Sequence, residues 1–325
     1  MILVGDVGGT KTRLALYESK KEKMICLEKE DFSSAKYQGL EGIVNEYLRK
    51  RKKEVEAACF GVPGPVINGE SRATNLPWFL NERSVVEQTA VKKVKLINDL
   101  VALTSAVPHL SSGELSVLHE GKEVDKSSPR AVLAPGTGLG QAFLYYDGER
   151  HHVHASEGGH IDFAPNSEVE SQLLKHLQSK FGHVSYERIL CGPGLVNIYE
   201  FLKDGGYASE PPELRDRLEQ GNAAAVISTA GQNREFELCV KALDLFVTIL
   251  GAQAGNLVLT LLATGGVYLG GGIPPKIAKK LSDGTILKSY FDKGRLSHLV
   301  EKTPLFIIKD DHAALLGLAY VAAQL

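Results

Sequence analysis

The sequence predicts a mixed α/β protein of two domains, and three observations carry that expectation. Its 325 residues exceed what one hydrophobic core usually serves. Strand-like runs follow one another directly up to Phe32 and are then separated by helical stretches, a pattern that requires a mixed sheet with crossovers. A strand–glycine turn–strand unit opens the chain and returns near residue 130. The domains are expected over 1–108 and 109–310, with a C-terminal helix in 311–325 packing back onto the first.

Ile2–Val4 and Arg13–Tyr17 read as strands joined by a tight turn, and Met24–Phe32 as a third. Leu40, Ile43, Val44, Tyr47 and Leu48 recur at helical spacing, which predicts a helix over 39–52. Val55–Val62 is an apolar run halted by Pro63-Gly64-Pro65, as suits a buried strand. Val94–Ile97 predicts another strand, and Asn98-Asp99 leads into a helix ending near Val107. The polar stretch 108–130, with Pro108, Gly113, Gly121 and Pro129, opens the second domain. Arg130–Ala134, the turn 136–140 and Gln141–Tyr146 then repeat the opening pattern. Helices are expected over 168–181, 193–203, 222–230 and 235–262, with 205–212 a mobile surface loop. Gly266–Leu269 predicts a strand, Pro274 the start of a helix, Leu305–Ile308 a last strand and Ala313–Gln324 a last apolar helix.

Composition narrows the function. Hydrophobic residues make up 43% and charged residues 23%, an ordinary globular balance. A net charge of -2 gives no broad attraction to nucleic acid or an anionic membrane, so neither partner is expected. The opening MILVGD lacks the charged start and apolar stretch of a signal peptide. No run is read as reaching the roughly 18 apolar residues of a membrane helix. The expected location is the cytoplasm. Cys26, Cys59, Cys191 and Cys239 form no CxxC pair, which leaves buried free thiols in a reducing compartment as the expectation.

Gly5-Asp6-Val7-Gly8-Gly9-Thr10-Lys11 has the make-up of an anion nest. Consecutive glycines let backbone amides encircle a phosphate, and the Thr10 hydroxyl adds a donor. Asp6, ending a strand, can face a hydrated Mg²⁺ on the same phosphates. A P-loop is excluded, because Thr10 stands where its second glycine belongs and a strand follows instead of a helix. A plain hairpin turn remains the alternative. Pro135-Gly136-Thr137-Gly138-Leu139-Gly140 weakens it, since a hairpin needs one or two glycines and not three around a threonine. Gly270-Gly271-Gly272 would allow flat contact with a nucleoside or pyrophosphate, or simply a tight strand-to-helix turn.

Asn98-Asp99 follows an apolar strand, at the carboxyl edge where open α/β sheets bind ligands, although Asp99 equally suits a helix N-cap. Ser156-Glu157-Gly158-Gly159-His160-Ile161-Asp162 packs acceptors and an imidazole between apolar flanks. Paired carboxylates with His or Asn suit adjacent sugar hydroxyls, each of which donates and accepts. His151, His152 and His154 read as strand surface residues and not as metal ligands. Glu187 by itself reads as a helix-surface residue.

Together, LVGDVGGTKTRLAL, INDLVAL, APGTGLGQA, SEGGHIDFAPNSEVE, GHVSYERILCGPGLVN, GGVYLGGGI and DHAALLGLA resemble the bacterial glucokinase family of the hexokinase/actin-like ATPase superfamily. The resemblance implies two ribonuclease-H-like domains flanking a cleft, and ATP-dependent phosphorylation of D-glucose to glucose 6-phosphate with Mg²⁺. By position it implies that Asn98, Asp99, Glu157, His160 and Glu187 bind glucose, with Asp99 as catalytic base. It likewise places Gly5, Asp6, Gly8, Gly9, Thr10, Thr137 and Gly138 on the ATP phosphates and Gly271 near the nucleoside. A homodimer is implied as well. Two departures bear on this. Lys11-Thr12 replaces the Asn-Ala of some close relatives, and Ile161–Glu170 lacks the cysteines of the zinc-bearing repressor/kinase relatives, so zinc is not expected. The rival readings are a kinase for fructose, mannose or an N-acetylated amino sugar, a non-enzymatic sugar sensor and a filament-forming ATPase.

Overall fold

Alternating apolar residues build the first sheet from its centre outward. The computed structural model describes every residue except 22, 73–75, 123, 124, 126 and 311. It divides the chain into one unit of Met1–Ser111 with Asp310–Leu325 and another of Ser112–Lys309. The first unit runs β1 (Ile2–Val7), β2 (Lys11–Lys20), β3 (Lys23–Ser33), α1 (Leu40–Arg51), β4 (Ala57–Val62), β5 (Glu70–Arg72), β6 (Phe79–Asn81), α2 (Glu82–Gln88), β7 (Lys93–Asn98) and α3 (Asp99–Ala106). The main sheet has the order β3-β2-β1-β4-β7. Its first three strands are antiparallel, while β4 runs parallel to β1 and β7 parallel to β4.

The second unit repeats that topology. It runs β8 (Leu115–His119), β9 (Arg130–Pro135), β10 (Leu139–Tyr146), β11 (His151–Ser156), α4 (Glu168–Phe181), α5 (Gly192–Asp204), α6 (Pro212–Gln220), α7 (Ala223–Asn233) and α8 (Glu237–Leu261). Then come β12 (Val267–Leu269), α9 (Ala278–Leu281), α10 (Thr285–Phe291), α11 (Ser297–Val300) and β13 (Leu305–Ile308). The sheet order β11-β10-β9-β12-β13-β8 is the first order again, with β8 added antiparallel at the edge. The chain returns to the first unit in α12 (Ala313–Ala322).

The side-chain period of 2 sorts the first unit into two cores. Leu3 joins Ile43, Val44 and Tyr47 of α1 and Phe60 of β4. Its neighbour Val4 packs on the opposite face with Ala102 of α3 and Leu315 and Leu318 of α12. Both faces being covered, every residue of β4 is buried. Each large apolar side chain buried this way contributes about 1.5–3 kcal/mol. In the second unit α8 is the central element, buried from Leu238 to Val258 on several sides.

Several expectations are corrected here. Helix α8 is long and apolar enough to cross a membrane by length and composition, contrary to the sequence reading, but its most apolar stretch is 67% buried within the protein. A core helix in a large unit meets the same compositional test as a membrane span. Cys26 is exposed, whereas Cys59, Cys191 and Cys239 are buried free thiols. Burial pushes the Cys239 thiol up to about 11, which leaves it protonated and unreactive at neutral pH. The hairpin β5–β6, helix α2 and helices α10 and α11 gave no sequence signal, being too short to show a period. The polar stretch 108–130 contains β8, and its residues 123, 124 and 126 lie outside the described residues, as does Asp311 of the C-terminal segment. Pro274 starts no helix. The amides of Gly270 and Ile273 are donated to Leu133 and Pro135 of β9, so the chain first follows that strand end and turns helical only at Ala278.

Candidate active site

The β1–β2 turn of the first unit presents unpaired donors. The Gly8 amide closes it on the Lys11 carbonyl at 3.0 Å. The amides of Gly9 and Thr10 have no acceptor among the described residues. Ser34, wholly buried, fixes the turn from behind. Its hydroxyl donates to the Gly8 carbonyl at 2.8 Å and meets the buried Thr12 hydroxyl at 2.9 Å, and its amide donates to the Thr10 carbonyl. Ser34→Ala would strand the buried Thr12 hydroxyl and the half-buried Gly8 carbonyl, and is expected to cost about 1–3 kcal/mol of stability, read as a lower thermal midpoint. An unchanged midpoint would remove Ser34 from this role. Lys11 is ion-paired with Asp31 at 2.7 Å, and Arg13 with the same carboxylate at 2.6 Å. Gly5 lies inside β1, where a Cβ would come within 2.6 Å of both Leu14 and Phe60. It is a packing position in the sheet and not part of the turn.

Asp6 and Asp99 stand at the ends of β1 and β7. Asn98, and not Asp99, is the N-cap of α3. Its Oδ1 accepts from the Leu100 amide at 2.9 Å and the Val101 amide at 3.4 Å, and its Nδ2 donates to the Gly64 carbonyl at 3.1 Å. Asp99 is thereby displaced into the first helical turn, its Oδ1 accepting from Leu100 N at 2.8 Å. Water reaches this carboxylate, yet enough protein surrounds it that burial raises its pKa, against the opposing pull of the Leu100 amide and the Asn98 side chain. Burial also raises Asp6, and the charge of Asp99 adds to the effect, while Arg13 and Lys11 oppose it. No hydrogen-bond donor among the described residues serves the Asp6 carboxylate. A desolvated carboxylate next to a second negative charge gains from an oxygen-seeking divalent cation, so Asp6 fits Mg²⁺.

The β9–β10 turn of the second unit mirrors the first. The Gly136 amide closes it on the Gly138 carbonyl at 2.8 Å, and the amides of Thr137 and Gly138 find no acceptor among the described residues. Gly271, at φ +78°, crosses the end of β9 so closely that a Cβ would lie 2.7 Å from the Pro135 carbonyl. The glycine runs 136–138 and 270–272 are therefore neighbours. Each turn thus offers two successive amides without an acceptor among the described residues and an exposed threonine hydroxyl, donors of the kind an anion takes.

Glu157, His160 and Glu187 form one cluster. The segment 157–163 is zipped to 184–187 by Phe163 N donating to the Val184 carbonyl at 2.9 Å and Tyr186 N to the Ile161 carbonyl at 3.1 Å. Phe163 packs edge-on against Tyr186 at 5.5 Å. This sets His160 Nδ1 3.8 Å from Glu187 Oε1 and Nε2 4.0 Å from Glu157 Oε2. Both separations are too long for direct hydrogen bonds and leave the acceptors open to a polyhydroxylated ligand. Glu187 Oε2 accepts from the Leu139 amide at 2.8 Å, so the cluster leans on the strand leaving the glycine turn. Asp162 points elsewhere and pairs with His183 at 2.7 Å. On β11, His154 and His152 stack on Phe143 and Tyr145 of β10 and His151 lies tilted against Tyr146, as surface residues of an edge strand do. A groove of about 510 Å³ in the same unit, bordered by Glu170, Tyr207, Lys241 and Asp292, contains none of the cluster.

Sequence reading passed over Ser34, the Leu139 amide and Gln141. Gln141 stands within a quoted motif, but nothing in its spacing sets it apart from its strand. Ser34 lies 22 residues from the Thr12 it contacts, which no local pattern encodes.

The glucokinase family model matches residues 3–325. A glucokinase of Nostoc punctiforme is 37% identical over 340 residues, which cover 100% of this chain and 99% of that protein. The crystal structure of a glucokinase from an Antarctic psychrotroph superposes with a TM-score of 0.90 at 30% identity, covering 100% of this chain and 99% of the other. The Balamuthia mandrillaris glucokinase, solved with glucose, shares the fold at a TM-score of 0.74 and 24% identity, over 99% and 93% of the two chains.

Proposed function

The chain belongs to the glucokinase family and catalyses the ATP-dependent phosphorylation of glucose, and from that premise we propose that Asp99 is the base that activates the sugar's 6-hydroxyl. The observation carrying the proposal is a carboxylate anchored by Leu100 N in the first turn of α3, reachable by water and raised in pKa by burial. As O6 attacks the γ-phosphorus, Asp99 takes the hydroxyl proton, the bond from γ-phosphorus to the bridging oxygen breaks, and ADP leaves with that oxygen.

Asn98, Glu157, His160 and Glu187 are the remaining groups assigned to the sugar hydroxyls. Glu187 and His160 are supported by their open acceptor spacing, and Asn98 by its place beside Asp99 at the end of β7. Gly9, Thr10, Thr137 and Gly138 are assigned to the phosphates on the strength of the unpaired amides, Gly8 as the residue whose amide closes the same turn on Lys11, and Gly271 beside the nucleoside. Asp6 would hold Mg²⁺, which neutralises charge on the phosphates when bound. The glucose seen in the Balamuthia protein supports the sugar assignment. Use of ATP supports a cytoplasmic place of work, and the family resemblance supports a homodimer, which sedimentation would test.

A coupled assay of glucose, fructose, mannose and N-acetylated amino sugars with ATP, ADP and polyphosphate tests the substrate pair. Strong preference for another sugar would overturn the glucose assignment. The acid limb of kcat is expected above the ordinary aspartate pKa, because the base must be ionised and its folded pKa is raised. An acid limb at or below the ordinary value would count against Asp99. The stability sign is fixed by the same shift. The folded state holds the Asp99 proton more tightly than the unfolded chain, so ionisation costs stability above the folded pKa, and that cost is recovered as pH falls through it.

A further inference from the structure

We propose that Gln141 is a positioning residue, whose buried carboxamide N–H holds the Glu157 carboxylate when sugar binds; this rests on Glu157 being a sugar ligand. Gln141 lies on β10 opposite Ser156, the residue before Glu157, and is only 3% exposed. Its Nε2 is buried without any hydrogen-bond partner. Its Oε1 is so close to the sugar segment that a Cβ on Gly158 would lie 2.5 Å away. The Ser156 hydroxyl ties the same corner, donating to the Gln141 carbonyl at 3.2 Å and accepting from Gly158 N at 3.1 Å.

A buried amide donor without an acceptor is a standing cost, and an apolar residue of the same length would avoid it. Gln141 neighbours Leu139 on the face that packs into the second unit's core, where such a residue would fit. The opposite problem sits next door. Glu157 has a side chain 90% exposed, whose nearest polar contact is His160 at 4.0 Å, so nothing holds it in place. A sugar ligand works best when a supporting hydrogen bond orients it. One unused donor and one unanchored acceptor, on residues joined through Gly158 and the Ser156 bridge, complement each other.

Gln141→Met keeps the length and removes the donor. It is expected to raise the KM for glucose about tenfold, the weight of one hydrogen bond to a charged group, with kcat and the KM for ATP within about twofold. The thermal midpoint should stay level or rise, since the unpaired donor is gone. Glu157→Gln should raise the glucose KM by itself, and adding Gln141→Met to it should change little more. A native glucose KM in Gln141→Met, full additivity in the double variant, or a lowered midpoint with unchanged KM would overturn the inference. If Glu157→Gln leaves the glucose KM native, the sugar assignment of Glu157 has failed instead. Gln141→Leu, read by calorimetric glucose binding without nucleotide, decides the question if the Met variant folds poorly.

Discussion

Asp99→Asn is expected to lower kcat by about 10²–10⁴-fold, the usual contribution of a positioned general base. The substitution keeps the size of the side chain and an oxygen able to accept from Leu100 N, so α3 and its Asn98 cap should persist. Glucose binding should survive in part, because an amide still hydrogen-bonds a hydroxyl. The KM for glucose should therefore move far less than kcat, the signature of an interaction made in the transition state. Stability should move the other way. Burial disfavours the Asp99 charge, and that charge also raises Asp6, so removing it at neutral pH relieves both groups. The variant should melt at or above the native midpoint while losing turnover. Native turnover in the purified variant would remove Asp99 from the chemistry.

Gly138→Ala is expected to raise the KM for both substrates through a single methyl group. A Cβ there would lie 2.5 Å from Glu187 Oε2 and 3.3 Å from its Cδ. The carboxylate end is mobile enough to swing away, so the fold should survive. What it gives up is the bond to Leu139 N and its place beside His160. A hydrogen bond to a charged group is worth about 1.5–3 kcal/mol, or roughly 10–150-fold in glucose KM. The ATP KM should rise too, since the methyl group sits on the turn whose amides are assigned to phosphate. Glu187→Gln, which keeps an acceptor for Leu139 N, should be milder for glucose and neutral for ATP. A Gly138→Ala enzyme with native KM values for both substrates would show that the turn and the cluster are independent.

How much was legible depends on the range of the interaction. The β1–β2 and β9–β10 units showed in the sequence because alternation and glycine punctuation are local, and both sheets form around those strands. The helix after β7 showed as well, but its cap did not. Asn98 and Asp99 are both good caps, and the choice fell to Asn98 because its amide also reaches the Gly64 carbonyl, 34 residues away. Short elements escaped for want of a period. Helix α6 begins at Pro212, the last residue of the stretch expected to be loop, and α9 is delayed to Ala278 by the backbone bonds to β9.

The amino-acid order alone determined where strands, turns and the long helix lie, and which residue types can accept protons or surround phosphate. Those properties depend on neighbours within a few positions, which a linear string displays. Only the tertiary structure decided that Glu187 meets the Leu139 amide across 48 residues, that Ser34 braces the first turn and that Gln141 keeps an unpaired N–H under the Glu157 corner. Such pairings follow from how sheets and crossovers stack, and burial then sets the energy of each polar atom they enclose.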